Sequence, residues 1–165
     1  MKLNFSILFI SALVPLITGL IWYGTLFKNA WTKQIGFTNE NTKKTNLPLL
    51  LGVGYVLGLL ISAGLLPVVI HQMGMQSTLI SEPGFNEKTG EAFKLFMAFM
   101  DNYGGNFRTF KHGALHGVLT ALFVIMPILT IQALLEKKRF KYIAINVGYW
   151  IVTLAIIGGI LSKWV

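Results

Sequence analysis

Four stretches of this chain run for the length of a bilayer crossing without a charged residue. They are Leu3 to Phe27, Leu47 to Ile70, Gly113 to Leu135 and Tyr142 to Leu161. A helix rises about 1.5 Å per residue, so roughly 20 apolar residues cover a hydrocarbon core of about 30 Å. No other property of the sequence restricts the fold so far. Lipid offers the backbone no hydrogen-bonding partner, and a helix satisfies its own N–H and C=O groups internally. The composition agrees: 54% of residues are hydrophobic and 12% are charged, about half the charged share of a soluble domain. The expectation is an all-α chain, a four-transmembrane-helix bundle forming one domain over residues 1–165, with the lipid bilayer as its surroundings.

The first span has the look of a secretory signal, with Lys2 ahead of an apolar run. Its run exceeds an h-region of about 7–15 residues, and no small-x-small cleavage site follows. Trp22, Tyr23 and Trp31 follow instead, and Trp164 lies near the other end of the chain; such rings anchor at the headgroup level. A retained first helix is expected. Pro48 falls in the first turn of the second span, where proline is tolerated. Pro15, Pro67 and Pro127 interrupt three spans and require neighbouring groups to satisfy the freed carbonyls.

Charge sets the orientation. Lys28, Lys33, Lys43 and Lys44 follow the first span, and Lys137, Lys138, Arg139 and Lys141 follow the third, which places eight of the fourteen basic residues in two connections on one side. Four of the six acidic residues, Glu82, Glu87, Glu91 and Asp101, lie in the long connection between the second and third spans. The positive-inside bias puts the two basic connections in the cytoplasm and both termini outside, in a bacterial inner membrane. The net charge of +8 is explained by this topology. No basic stripe with interleaved aromatics supports a nucleic-acid partner. Cysteine is absent, which removes disulfides and thiolate chemistry.

Within the long extracytoplasmic loop, about Met73 to Phe110, the segment Glu91 to Tyr103 sets Glu91, Lys94 and Asp101 on one stripe of a helix. Phe93, Phe96, Met97, Phe99 and Met100 fill the remainder, and Gly104 and Gly105 close it. This reads as a short amphipathic interfacial helix, or a helix that binds a partner. Small residues mark where spans approach in lipid: Gly54, Gly58 and Ser62; Gly113, Gly117 and Ala121; Ala155 and Gly159. They serve a compact intramolecular bundle or the pairing of protomers. Gln132 and Asn146, the amides at membrane depth, are expected to face the bundle and bond across helices.

Two groups of residues resemble a known family. Gly19-x-x-Trp22-Tyr23 with Phe27 and Trp31 in the first span, and Asn146-x-Gly148-Tyr149 with Gly158-Gly159-x-Leu161 and Trp164 in the last, resemble the bacterial domain-of-unknown-function family seventeen-sixty-one. The basic turn Glu136 to Lys141 fits between that family's third and fourth helices, and the long loop is an elaboration. The resemblance implies a small four-helix integral membrane protein and supplies no activity.

The histidines carry the only concentrated chemistry. His112 and His116 are one turn apart on one helix face, with Thr120 continuing the row, and His71 ends the second span on the side where the third begins. Three imidazoles at one depth suit zinc, iron or haem, with Glu82, Glu91 or Asp101 as further ligands. The plainer reading, hydrogen bonding to water, headgroups and carbonyls, stands ahead of a metal, and a proton-linked role is the third. No nucleophile elbow, phosphate loop or HExxH is present, and an enzyme is not expected. The leading reading is a non-enzymatic bundle that self-associates or serves as an accessory subunit of a larger membrane complex. A metal- or haem-binding protein using the three histidines, and an oligomeric transporter of a small solute or protons, are the alternatives.

Overall fold

The computed structural model describes residues 3–36 and 46–165. Lys2, Glu40, Lys43 and Lys44, which bear on the charge distribution, lie outside the described residues. Those described form helices and connections with no strand among them. Four helical stretches are long and apolar enough to cross a membrane: Phe5–Leu26, Leu47–Val69, Phe110–Leu135 and Phe140–Trp164.

The first of these is α1 (Phe5–Ser11) and α2 (Val14–Ile21), continued by a π-helical turn from Trp22 to Leu26. Asn4 caps α1 by accepting from the Ser6 amide. The break between α1 and α2 is the work of Pro15, which has no amide to give the preceding turn. Hydroxyl groups on either side bond back within their own turns: Ser11 Oγ donates to the Ile7 carbonyl and Thr18 Oγ1 to that of Val14. The Pro15 carbonyl itself accepts from Tyr149 on another span, at 2.9 Å.

A short helix expected to be a plain loop follows, α3 (Lys28–Ile35), closed by Gly36 at φ +67°. The second span is α4 (Leu47–Val69), capped by Asn46; Pro67 sits in its last turn without ending it. A further short helix, α5 (Gln72–Leu79), opens the long connection. Its glycine and glutamines hide any apolar period from the sequence. The amphipathic helix α6 (Glu91–Tyr103) forms over the span anticipated, with Gly104 as its cap. Phe85 and Phe96 are buried there, their ring centroids 5.6 Å apart, with Phe93 beside Phe85.

The third span is α7 (Phe110–Thr120), a π-helical turn over Ala121–Ile125, and α8 (Met126–Leu135). The wide turn immediately precedes Pro127, where a regular helix would lose a hydrogen bond. The fourth is α9 (Phe140–Trp164), and it packs on all three other spans. Thr153, Ile157, Leu161 and Ser162 on α9 are fully buried, and with Val14, Leu65, Val69, Ile70 and Ala121 they line the centre of the molecule.

Each glycine stripe is consumed inside the bundle. A Cβ on Gly58 would stand 2.3 Å from the Ala12 carbonyl oxygen, and one on Gly54 would meet Leu16 at 2.6 Å; Ser62, one turn on, is fully buried. On α7, a Cβ on Gly113 would lie 2.1 Å from the Gly158 oxygen and one on Gly117 2.0 Å from the Leu154 oxygen, and Ala121 is fully buried. Ala155 contributes its backbone nitrogen to the wall facing Gly117. Gly159 takes a different part from the one its stripe implied. The Phe110 ring covers it, and the neighbouring Gly158 is where the two backbones meet.

The two amides diverge. Asn146 lies between helices, accepting from the Tyr23 hydroxyl at 3.0 Å and donating to the Tyr142 carbonyl. Gln132 corrects the expectation: it is exposed and donates to Glu136 at 3.1 Å on its own helix end. One turn from the span's end, a long polar side chain reaches the boundary and needs no partner helix.

Candidate metal centre

His71, His112 and His116 meet at the end of the bundle that also carries Leu3 and Val165. The helix α4 stops at Ile70, which turns to φ −113° and ψ 89°, and His71 follows as the first residue of the bend into α5. The third span begins beside it because Thr109 caps α7, its Oγ1 accepting from the His112 amide at 3.2 Å. This cap fixes where the helix starts, and so sets the height of His112 and, one turn later, of His116. Thr120 extends the row by donating to the His116 carbonyl.

The three rings present Nε2 inward. His112 Nε2 lies 2.8 Å from His71 Nε2 and 3.1 Å from His116 Nε2. Ring centroids are 5.0 Å apart for His71–His112, 5.0 Å for His71–His116 and 4.6 Å for His112–His116. His71 is exposed and the other two are half-buried. A neutral imidazole nitrogen has either one hydrogen or one lone pair. His112 Nε2 therefore cannot hold well-directed hydrogen bonds to both neighbours at once. A cation among three lone pairs satisfies all three nitrogens. Nitrogens bound at about 2.0–2.1 Å and tetrahedral angles are about 3.3–3.4 Å apart. The two short contacts would open by roughly 0.2–0.6 Å to admit such an ion.

The carboxylates do not join them. Among the described residues the cluster consists of the three histidines alone; Glu82, Glu91 and Asp101 are exposed, and Glu91 is paired with Lys94 at 2.7 Å. The ligand set is therefore neutral. The segment from Gly104 to Thr109 closes over this end, held by several bonds. Gln72, buried and next to His71, donates to the Gly104 and Asn106 carbonyls at 3.0 and 2.9 Å. Arg108 donates to the Val165 carbonyl at 2.7 Å, and burial lowers its pKa from the usual guanidinium range. The Phe107 ring lies 4.8 Å from that of His112 and 5.9 Å from that of His71. Sequence patterning does not reveal Phe107; a single phenylalanine between glycines and a cap carries no period to mark it.

The remaining candidates lie elsewhere. Trp22, Tyr23 and Trp31 gather at the opposite end, against the first turns of α9. Trp22 Nε1 donates to the Ile145 carbonyl at 3.0 Å, and its ring packs on Gly148. Gly19 faces the Tyr149 ring, and Trp31 stacks on Tyr142 at 5.5 Å. Trp164 is half exposed under Lys163 and beside Phe110. The aromatic and small residues of the first and last spans thus form one docking surface between two helices.

No curated protein and no solved structure matches this chain. A family model described as a protein of unknown function, DUF1761, matches residues 6–162. That stretch holds Gly19, Trp22, Tyr23, Asn146, Gly148 and Tyr149, and the chain belongs to the DUF1761 family.

Proposed function

We propose that this chain is a multi-pass membrane protein that binds one transition-metal ion through Nε2 of His71, His112 and His116. The convergence of three imidazole nitrogens on one point carries the reading, because hydrogen bonding alone leaves one of the short contacts unsatisfied. Three protein ligands leave a fourth position open, as in sites where an ion activates water or exchanges ligands. Imidazole sets of this kind take zinc, copper or iron. Haem fits less well. Nitrogens on opposite faces of a haem iron stand about 4 Å apart, twice a metal–nitrogen bond of about 2 Å, whereas His112 Nε2 lies 2.8 and 3.1 Å from its two neighbours. The small-residue stripes face neighbouring helices of the same chain, so they serve the bundle itself.

The ion would sit at the extracytoplasmic face of a bacterial inner membrane. Lys33, Lys137, Lys138 and Arg139 line a cleft at the opposite end of the bundle, and a basic end belongs inside. The chain has no cysteine, so Lys138→Cys and Asp101→Cys can be labelled without background. A membrane-impermeant thiol reagent on intact cells should reach only the second.

Metal binding is tested on the full-length protein in mild detergent, stripped with chelator and titrated with zinc while bound metal is measured. One ion per chain is expected. Four-ligand zinc sites bind with about 10–16 kcal/mol, about 2.5–4 per ligand, so His112→Ala should weaken binding roughly 10²–10³-fold. Wild-type protein that holds no more zinc than the His112→Ala variant would refute the site.

A further inference from the structure

Phe107 occupies the left-handed region at φ +62°, where a bulky L-residue is an outlier. The strain is not repaid by burial, because the residue is 61% exposed. Its backbone is fixed from two sides: the carbonyl accepts from the Thr109 amide at 2.8 Å and from Ser162 Oγ on α9 at 3.1 Å. Gln72 holds the preceding turn and Arg108 the following one. Two neighbouring helices, α5 and α9, therefore combine with the turn's own bonds to keep an aromatic ring in an unfavourable backbone state. What the ring touches there is the histidine pair His71 and His112, edge-on to the first and tilted over the second. Glycine would be the easy residue for this φ, but it would leave those rings bare. Strain maintained by its surroundings, at a position whose one evident contact is a reactive cluster, points to a role at that cluster.

Building on the metal reading, we propose that Phe107 is the lid of the three-imidazole site. It keeps the His71 and His112 rings in their converging orientation and obstructs exchange of the bound ion. Access to the ion then runs past Phe107, and the 104–109 segment, tied to α5 and α9, sets how readily it opens.

The test compares full-length wild type with Phe107→Ala, Phe107→Gly and Phe107→Leu. Two quantities are measured: the rate at which zinc passes to an excess of a chromogenic chelator, and the stability of the metal-free protein. Ala and Gly should release zinc at least tenfold faster than wild type, and Leu, which keeps bulk over the rings, within about threefold of it. The metal-free Gly variant should be more stable than Ala, by roughly two- to fivefold in the unfolding equilibrium, because glycine accepts this φ. Zinc held by wild type but released at an unchanged rate by Phe107→Ala overturns the lid and leaves the site standing. Wild type that takes no zinc overturns both. A Gly variant less stable than Ala overturns the backbone strain on which the lid depends.

Discussion

Gly117→Ala adds one methyl group at the closest approach of α7 to α9. That carbon would stand 2.0 Å from the Leu154 oxygen, 2.4 Å from its carbonyl carbon and 2.8 Å from the Ala155 nitrogen. Ordinary contact begins near 3.4 Å, so the helices must part by up to 1.4 Å (3.4 − 2.0). All three obstacles are backbone atoms of a long helix, and no rotamer change relieves them. Nor can α7 pivot easily, because Gly113 touches Gly158 one turn away. Overpacking of this kind costs about 1–3 kcal/mol, and parted helices also lose dispersion along their length. Alanine's better helix propensity offsets up to about 1 kcal/mol. Gly64→Ala supplies the control. It carries the same propensity gain on α4, where nothing lies within 4 Å of the added carbon. Their difference isolates packing, and the rigid walls place it at about 2–3 kcal/mol. Unfolding in mixed detergent micelles, followed by tryptophan fluorescence, measures it. Because His116 precedes Gly117, the shift should also weaken zinc binding by carrying one ligand away from the other two. Equal stability of the two variants would refute the close packing of α7 on α9.

Three further expectations follow from the same geometry. Tyr23→Phe and Asn146→Leu should couple in a double-mutant cycle by about 0.6–1.7 kcal/mol, as polar pairs between membrane helices do; strictly additive losses would deny their hydrogen bond a role. Gln132→Leu should leave stability within about 0.5 kcal/mol of wild type, because the amide is exposed, and a loss well above 1 kcal/mol would place it back among the helices. Zinc affinity should fall as pH drops through the imidazole range, since a proton and the ion compete for the same lone pair. The limiting slope should approach about three in log affinity per pH unit, falling to about two in His71→Ala; a pH-independent affinity would remove the histidines as ligands.

The spans are legible in the amino-acid sequence because their cause is local. An uncharged run in lipid must satisfy its own backbone, and it does so as a helix whatever its neighbours are. The ends are legible only in part: Gly104 closes α6 as expected, but α7 starts at Phe110, three residues ahead of Gly113, because Thr109 caps it. The spacing of His112 and His116, and the arrival of His71 at their level, also follow from helix pitch and an odd–even count of crossings. Rotation of each helix about its axis is another matter. Whether Gly158 or Gly159 meets α7, whether Gln132 looks inward, and that Gly19, Trp22 and Tyr23 dock on Tyr149, Gly148 and Asn146 are settled by packing between helices, in the last case between residues more than a hundred positions apart. Phe107 belongs with these. Its left-handed backbone comes from anchors on α5 and α9, and the inward aim of the three Nε2 atoms depends on which way packed helices turn their side chains. Local desolvation therefore decided that the helices are long and apolar enough to cross a membrane, and non-local packing decided what the histidines face.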